Sequence, residues 1–285
     1  MKESAQNIEA GTKENSRGRP QGFAATQRTD PWWFEPLWTG FGFFCFVIYA
    51  TWAAFEGRYY WHDPYLSPFY SPLLFVEPHA AGSAPLHHAW MGAWPSWWPS
   101  FLPASPALLI LAGPLSFRLT CYYYRKFYYR SYFATPAACA VNPLPRKNYK
   151  GETGFLLFQN IHRYTLYIAL FYIFVLSLDA FRAFFRDGHP GVGVGTMVLC
   201  LNVLFLSSYT LGCHAFRHLM GGRLDCFSCC SGKEKLNYKA WEGISKLNSH
   251  HMLWAWISMI WVGFSDLYIR MAAMGVWKDL NTWGS

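Results

Sequence analysis

Charge is scarce in this 285-residue chain: Asp, Glu, Lys and Arg together supply 14% of it, where soluble domains carry about a quarter. A chain so poor in charge is neither disordered nor a solvated tail. It also has no internal repeat, no heptad pattern and no phosphate-cradling glycine loop, which removes solenoids, coiled coils and nucleotide-binding loops from consideration. What it has in excess is apolar and aromatic surface, 53% and 20% of residues, with 15 Trp, 18 Tyr and 24 Phe. The mean hydropathy of +0.07 is low because such scales penalise Trp and Tyr, which favour the boundary between hydrocarbon and water. The composition reads as an all-α integral membrane protein.

A helix crossing the hydrocarbon core needs about 20 mostly apolar residues. Five stretches meet that requirement: Leu37–Phe55, Phe101–Tyr123, Tyr164–Phe185, Val192–Cys213 and Met252–Ala273. Pro103, Pro106 and Pro114 make the second the least regular, and a kink is expected there. The first begins at Leu37 and has no small-residue cleavage pattern, so it is expected to stay as a span and not to be removed as a leader.

The net charge of +8 is explained by where the basic residues fall. The stretch from Arg118, near the end of the second span, to Arg163, just before the third, holds Arg118, Arg125, Lys126, Arg130, Arg146, Lys147, Lys150 and Arg163 against the single acid Glu152. The segment His214–Ser249 is also basic, whereas residues 56–100 hold Arg58 against Glu56, Asp63 and Glu77. Basic loops stay on the cytoplasmic side. The expected topology therefore puts the N-terminus in the cytoplasm and the C-terminus outside, with a polar arm over residues 1–35 and a five-helix transmembrane domain over 36–285. Topology accounts for the basic balance, and no nucleic-acid partner is needed. The aromatic loop 58–98, with His62, His79, His87 and His88, is expected to rest on the outer surface as a cap.

Chemistry-bearing residues collect at the cytoplasmic helix ends. His162 opens the third span, Cys213, His214 and His218 close the fourth, and His250 and His251 open the fifth; Cys139 sits in the preceding loop. His214 and His218 are four apart and share a helical face. Imidazole with thiolate is the ligand set of zinc or of iron–sulfur centres, and two of each is the Rieske set. Cys226-Phe227-Ser228-Cys229-Cys230 is a competing thiol cluster, able to open a zinc site with His218 but followed by no second Cys-x-x-Cys. Cys45, Cys121 and Cys200 read as small apolar residues in core or lipid contact. Haem b is the alternative use of the histidines. Two stacked haems need bis-histidine pairs at two depths, and no span holds a histidine at mid-depth, so one haem at the inner end is all this reading leaves open. Asp179, Arg182, Asp266 and Arg270, spaced for pairing on their helices, read as structural ion pairs.

Several motifs occur together between Tyr122 and Met252. They are Tyr124-Arg125-Lys126, Pro136-Ala137-Ala138-Cys139-Ala140-Val141, Tyr149-Lys150-Gly151-Glu152-Thr153, Gln159-Asn160-Ile161-His162-Arg163-Tyr164, Cys213-His214-x-x-Arg217-His218-x-x-Gly221-Gly222 and Leu247-Asn248-x-x-His251-Met252. In these the chain resembles the five-helix, cytochrome b-like membrane-anchor subunit of actinobacterial-type succinate dehydrogenase or fumarate reductase. The resemblance implies a multi-pass subunit of respiratory complex II in the cell membrane, among lipid. It would dock a cytoplasmic FAD flavoprotein and an iron–sulfur subunit and pass electrons from succinate to menaquinone. It also implies a Rieske-type [2Fe–2S] cluster near the quinone, with ligands drawn from Cys139, Cys213, His162, His214, His218 and His251. Read from the residues themselves, Arg217 is a candidate to hydrogen-bond a quinone carbonyl or stabilise its reduced anion, with Trp254, one turn after His250, as a second quinone-site candidate whose competing role is interface anchoring. The competing expectations are an anchor carrying haem b, an anchor with no cofactor, and a small transporter, the last disfavoured by the missing repeats.

Overall fold

The structure, a computed structural model, describes residues 22–144, 159–222, 224 and 232–283. The Cys226–Cys230 cluster, the Tyr149–Thr153 motif and residues 1–21 of the expected arm lie outside the described residues. The chain divides into two compact units, one of Met1–Cys45 with Tyr122–Leu157 and the other of Phe46–Cys121 with Phe158–Ser285. Helix α1 (Phe34–Glu56) contributes to both.

In the first unit, the start of α1 packs on α4 (Tyr122–Ser131) through rings: Phe43 lies 5.3 Å from Phe127 and 6.1 Å from Tyr124. The Tyr132 hydroxyl donates to the Gly40 carbonyl at 2.8 Å. The segment before α1 is tied to the 139–142 turn by paired backbone bonds from Ala24 to Asn142 and from Asn142 to Ala25, each 3.1 Å.

The second unit holds α2 (Pro106–Ile110), α3 (Ala112–Thr120), α5 (His162–Arg182), α6 (Val194–Leu211), α7 (His214–Gly221), α8 (Lys233–Ser249) and α9 (His251–Ala273). Four helices, α1, α5, α6 and α9, are long and apolar enough to cross a bilayer among the described residues. Their boundaries fall within a few residues of the expected spans. The expected second span is built differently. Pro106 starts α2, where its missing N–H costs nothing, and Thr120 ends α3, so the pair covers 106–120 with a turn at Leu111. At about 1.5 Å per residue that is roughly 22 Å, short of the ~30 Å hydrocarbon core. Pro114 has no N–H to offer the Ile110 carbonyl; Tyr172 of α5 donates its hydroxyl there instead, at 2.6 Å. Gly113 makes room for that ring, since a Cβ on it would meet Tyr172 at 2.7 Å.

One end of this unit is closed by the 57–105 segment, expected as a surface cap and found to share a buried core with Ala53 and Ala54 of α1 and Ala107 of α2. Strands β1 (Trp61–His62) and β2 (Tyr65–Leu66) form a short hairpin, and Tyr60 stacks on Tyr70 at 4.3 Å. Tyr65 lies over Gly193 and Gly195 at the start of α6, where any Cβ would clash with it. Its hydroxyl and that of Tyr268 donate to Asp279, at 2.8 and 2.6 Å, and Asp279 also accepts the Gly195 N–H at 2.9 Å. That carboxylate neutralises the positive end of α6. The ion pairs read from sequence form at this end, Asp179 with Arg182 at 3.6 Å and Arg270 with Asp266 at 3.4 Å, and Arg270 also pairs with Glu56, which the sequence did not announce. A second hairpin, β3 (Phe185–Arg186) with β4 (His189–Pro190), joins α5 to α6.

Candidate functional site

At the opposite end of the second unit, four helix junctions meet. Each junction leaves backbone groups unpaired and interrupts the apolar faces, so polar side chains can sit there. Cys121 occupies the extended residue that stops α3. His162 is the first residue of α5, behind a 3₁₀ turn at Gln159–Ile161. Cys213 caps α7 just past the end of α6, and His251 opens α9. Cys121, Cys213 and His251 are each 2% exposed.

These residues form two imidazole–thiol pairs. The His162 Nε2 lies 3.0 Å from the Cys213 Sγ, and the His251 Nε2 lies 3.8 Å from the Cys121 Sγ. The rings are held by stacking: Phe117 on His162 at 4.6 Å and Tyr209 on His251 at 5.0 Å, with Phe117 edge-on to Tyr209 at 5.5 Å. Thr120 Oγ1 sits 2.8 Å from the His162 Nδ1 and 2.8 Å from the Ser116 carbonyl. A hydroxyl that gives its hydrogen to the carbonyl can only accept from Nδ1–H, which leaves the Nε2 lone pair facing sulfur. Burial pushes the Cys213 thiol up to about 12, with the neighbouring Cys121 adding to the shift. A buried thiol of this kind stays protonated unless a cation replaces the proton.

The other expected ligands are placed elsewhere. His214 and His218 pair with each other on the exposed face of α7, Nε2 to Nε2 at 3.0 Å. Burial, then His218 and Arg217, lower the His214 pKa. Cys139 belongs to the first unit, where its thiol is exposed and its carbonyl accepts from Arg28 at 2.9 Å. Arg217 lies over the Trp241 ring at 5.0 Å, and the Trp254 Nε1 is buried with no hydrogen-bond partner among the described residues. Cys121, read from sequence as a small core or lipid-facing residue, is buried as expected and also faces His251, a contact the sequence did not announce. Among the described residues no three His, Cys, Asp or Glu side chains form a group arranged to hold a metal ion.

Beside the paired imidazoles, Arg118 donates to the Ala255 carbonyl at 3.2 Å and to the Ser258 hydroxyl at 3.0 Å, and its guanidinium lies 4.8 Å over Tyr209. Phe117, Arg118 and Tyr209 also wall one end of a cavity of about 450 Å³ between α1, α2, α3, α5, α6 and α9. Neither His162 nor His251 lines it.

Comparison with known proteins gives one family and one structure. Residues 34–275 match the family described as actinobacterial succinate dehydrogenase subunit SdhC. A chain of the Mycobacterium smegmatis Sdh1 complex in the apo form superposes with a TM-score of 0.81 at 44% identity, covering 94% of this chain and 98% of that one. No curated protein matches.

Proposed function

Because the chain belongs to the family of actinobacterial succinate dehydrogenase SdhC subunits, we propose that it is the membrane anchor through which electrons from succinate reach menaquinone. It is a membrane subunit of an oxidoreductase complex and works with the other succinate dehydrogenase subunits. In this reading it docks an FAD flavoprotein and an iron–sulfur subunit on the basic cytoplasmic loops, whose charge would steer encounter and orientation. Five segments cross the cell membrane, with the N-terminus inside and the C-terminus outside. The short α2–α3 pair is the second crossing; in its favour, Ser105 sits against Gly57 at the capped end while Thr120 reaches His162 at the other.

The observation that carries the reading is the meeting of two buried imidazole–thiol pairs at one end of the bundle. Two thiols and two imidazoles match the donor chemistry of a Rieske-type [2Fe–2S] centre. Cys121, Cys213, His162 and His251 would hold it, and His214, His218 and Cys139 would not. Bound there, such a centre supplies one-electron transfer at a raised potential. The chain's own contribution is to exclude water with Phe117 and Tyr209, to fix the His162 tautomer through Thr120, and to set a cation, Arg118, beside the site. Haem b held between His162 and His251 has less support, since each Nε2 faces a thiol and neither ring lines the 450 Å³ cavity.

The test is low-temperature EPR of the intact complex after reduction. A rhombic signal in this chain, lost in both Cys121→Ser and Cys213→Ser and kept in His214→Gln, is the expected result. A haem optical spectrum without that signal, or a signal that survives both serine variants, refutes the assignment.

A further inference from the structure

We propose that the cavity under the cap, at the end of the helical unit remote from the paired imidazoles, seats the primary-ammonium headgroup of a phospholipid, with an acyl chain lying along α5. The inference goes beyond the electron-transfer reading and uses none of its residues.

Three observations carry it. The first is charge. The cavity, about 380 Å³, lies between the cap, the last two turns of α5 and the β3–β4 hairpin, and its size falls within the ~300–1,000 Å³ of small-molecule sites. Among the described residues, Asp63, Asp179 and Asp187 line it against one guanidinium, that of Arg182. Arg186 takes Asp63 at 3.1 Å, so two guanidiniums meet three carboxylates and one negative charge is left over. His88 does not cancel it: burial first, then His87 and Arg182, lower its pKa, which keeps it neutral at pH 7.

The second observation is an acceptor left open. The Asp179 side chain is 11% exposed. Its Oδ2 accepts from the Ser71 hydroxyl. Its Oδ1 stands 3.6 Å from the Arg182 Nη1, beyond hydrogen-bond reach. A nearly buried carboxylate oxygen without a donor is costly, and an ammonium N–H supplies a charge-assisted one. Trp61 and Trp90 line the same space, and indole rings favour a cation.

The third observation is the way in. Trp90, Phe181 and Phe185 line the cavity and are exposed. From Phe181, the exposed residues Leu178, Phe174 and Phe171 continue at spacings of three or four, so they form one stripe along α5. Exposed apolar side chains on a bilayer-crossing helix face hydrocarbon. Arg182, its side chain 64% exposed at the same rim, is placed to meet a phosphate. A water-soluble amine would use the carboxylates and leave the stripe bare. An anionic phospholipid would meet the surplus negative charge. A phospholipid with an ammonium beyond its phosphate matches the carboxylates, the guanidinium and the stripe together.

The test is native mass spectrometry of the intact complex, delipidated in detergent and then given phosphatidylethanolamine, phosphatidylcholine or phosphatidylglycerol with the same acyl chains. The first two differ in whether the nitrogen carries hydrogens or methyl groups. The wild type is expected to retain the ethanolamine lipid about tenfold better than the choline lipid. Asp179→Asn keeps an acceptor for Ser71 and removes the charge. Asp187→Asn changes an exposed turn residue at φ +50°, a conformation that Asn also tolerates. Each is expected to erase the preference, Arg182→Gln to weaken both lipids alike, and Glu77→Gln, on the cap but outside the cavity lining, to change neither; the measured mass shows that each variant has assembled. Should Asp179→Asn fail to assemble, loss of the preference in Asp187→Asn is required. Equal retention of the three lipids, a preference for phosphatidylglycerol, or a preference that survives the aspartate changes overturns the proposal. Free phosphoethanolamine is expected to displace the lipid at least a hundredfold less well than the lipid displaces itself; equal displacement makes this a site for a soluble amine and overturns the lipid. In the wild-type complex, an ethanolamine phospholipid with a diazirine on an acyl chain is expected to label the Phe171–Phe181 peptide of α5, and label confined elsewhere overturns the proposal.

Discussion

Thr120 shows how much one hydroxyl can decide. It ends α3 and sits 2.8 Å from the His162 Nδ1; with its own hydrogen on the Ser116 carbonyl it accepts from Nδ1–H, which leaves the Nε2 lone pair facing Cys213. Replacing it with Val keeps the volume and removes the acceptor. Partners of this kind typically carry ten- to a hundredfold in metal affinity or activity, so Thr120→Val is expected to lower succinate-to-quinone turnover by about that range, and Thr120→Ser to restore it. Equal activity in Val and wild type would show that the tautomer is set elsewhere. His162, Cys213 and His251 were legible in the sequence because their motifs sit where apolar runs begin or end. Cys121 was not, because it lies inside an apolar, aromatic stretch, Leu119-Thr120-Cys121-Tyr122-Tyr123, whose internal break a hydropathy pattern does not mark. The signal available was Thr120 itself, a residue that competes with helix backbone and often sits at helix ends. A second check follows from burial: under native conditions an alkylating reagent is expected to label exposed Cys139 well before Cys121 or Cys213, read by peptide mass spectrometry.

At the scale of elements, the α2–α3 break is a proline defect repaired from outside. Pro114 strands the Ile110 carbonyl, Tyr172 takes it, and Gly113 lets the ring approach. Interhelical hydrogen bonds in membranes contribute roughly 0.6–2 kcal/mol, so Tyr172→Phe is expected to destabilise the purified protein by about that amount in thermal unfolding. Gly113→Val is expected to cost more, because its side chain must displace the ring from both the carbonyl and the cavity wall. If Tyr172→Phe unfolds like wild type, the carbonyl has another partner and the account of the break fails. The three prolines announced a kink in the sequence. They did not announce its length, which depends on Pro106 as a first helical residue and on Thr120 as a last one. The four longer helices were read almost to their ends, because an unbroken apolar run of about 20 residues has few other solutions.

At the scale of the whole molecule, the two ends of the helical unit do different work: the paired imidazoles lie at one, and a polar network locks the other. Asp266 and Arg270 are four apart on α9, so their pairing could be read from spacing. The sequence could not show that Arg270, fully buried, also binds Glu56 of α1, donates to the Arg58 carbonyl at 2.9 Å and lies 4.9 Å over the Trp52 ring. Nor could it show that Asp266 accepts from Tyr49 at 2.6 Å and from Ser67 of the cap. These bonds tie α1, the cap and α9 together across more than 200 residues of sequence. Buried charges of this kind are costly to leave single: removing one partner typically costs 3–5 kcal/mol, whereas replacing the set with apolar groups is often neutral. Arg270→Met is therefore expected to lose most of the assembled complex, since it strands two carboxylates. The triple change Arg270→Met, Asp266→Asn, Glu56→Gln is expected to recover a large part of it, with the loss and the recovery read by yield and thermal unfolding in detergent. EPR on the recovered protein separates the two ends. A network that only locks the cap leaves the signal expected of the proposed centre unchanged, whereas a change in that signal would mean that the capped end also sets the geometry of the distant pairs.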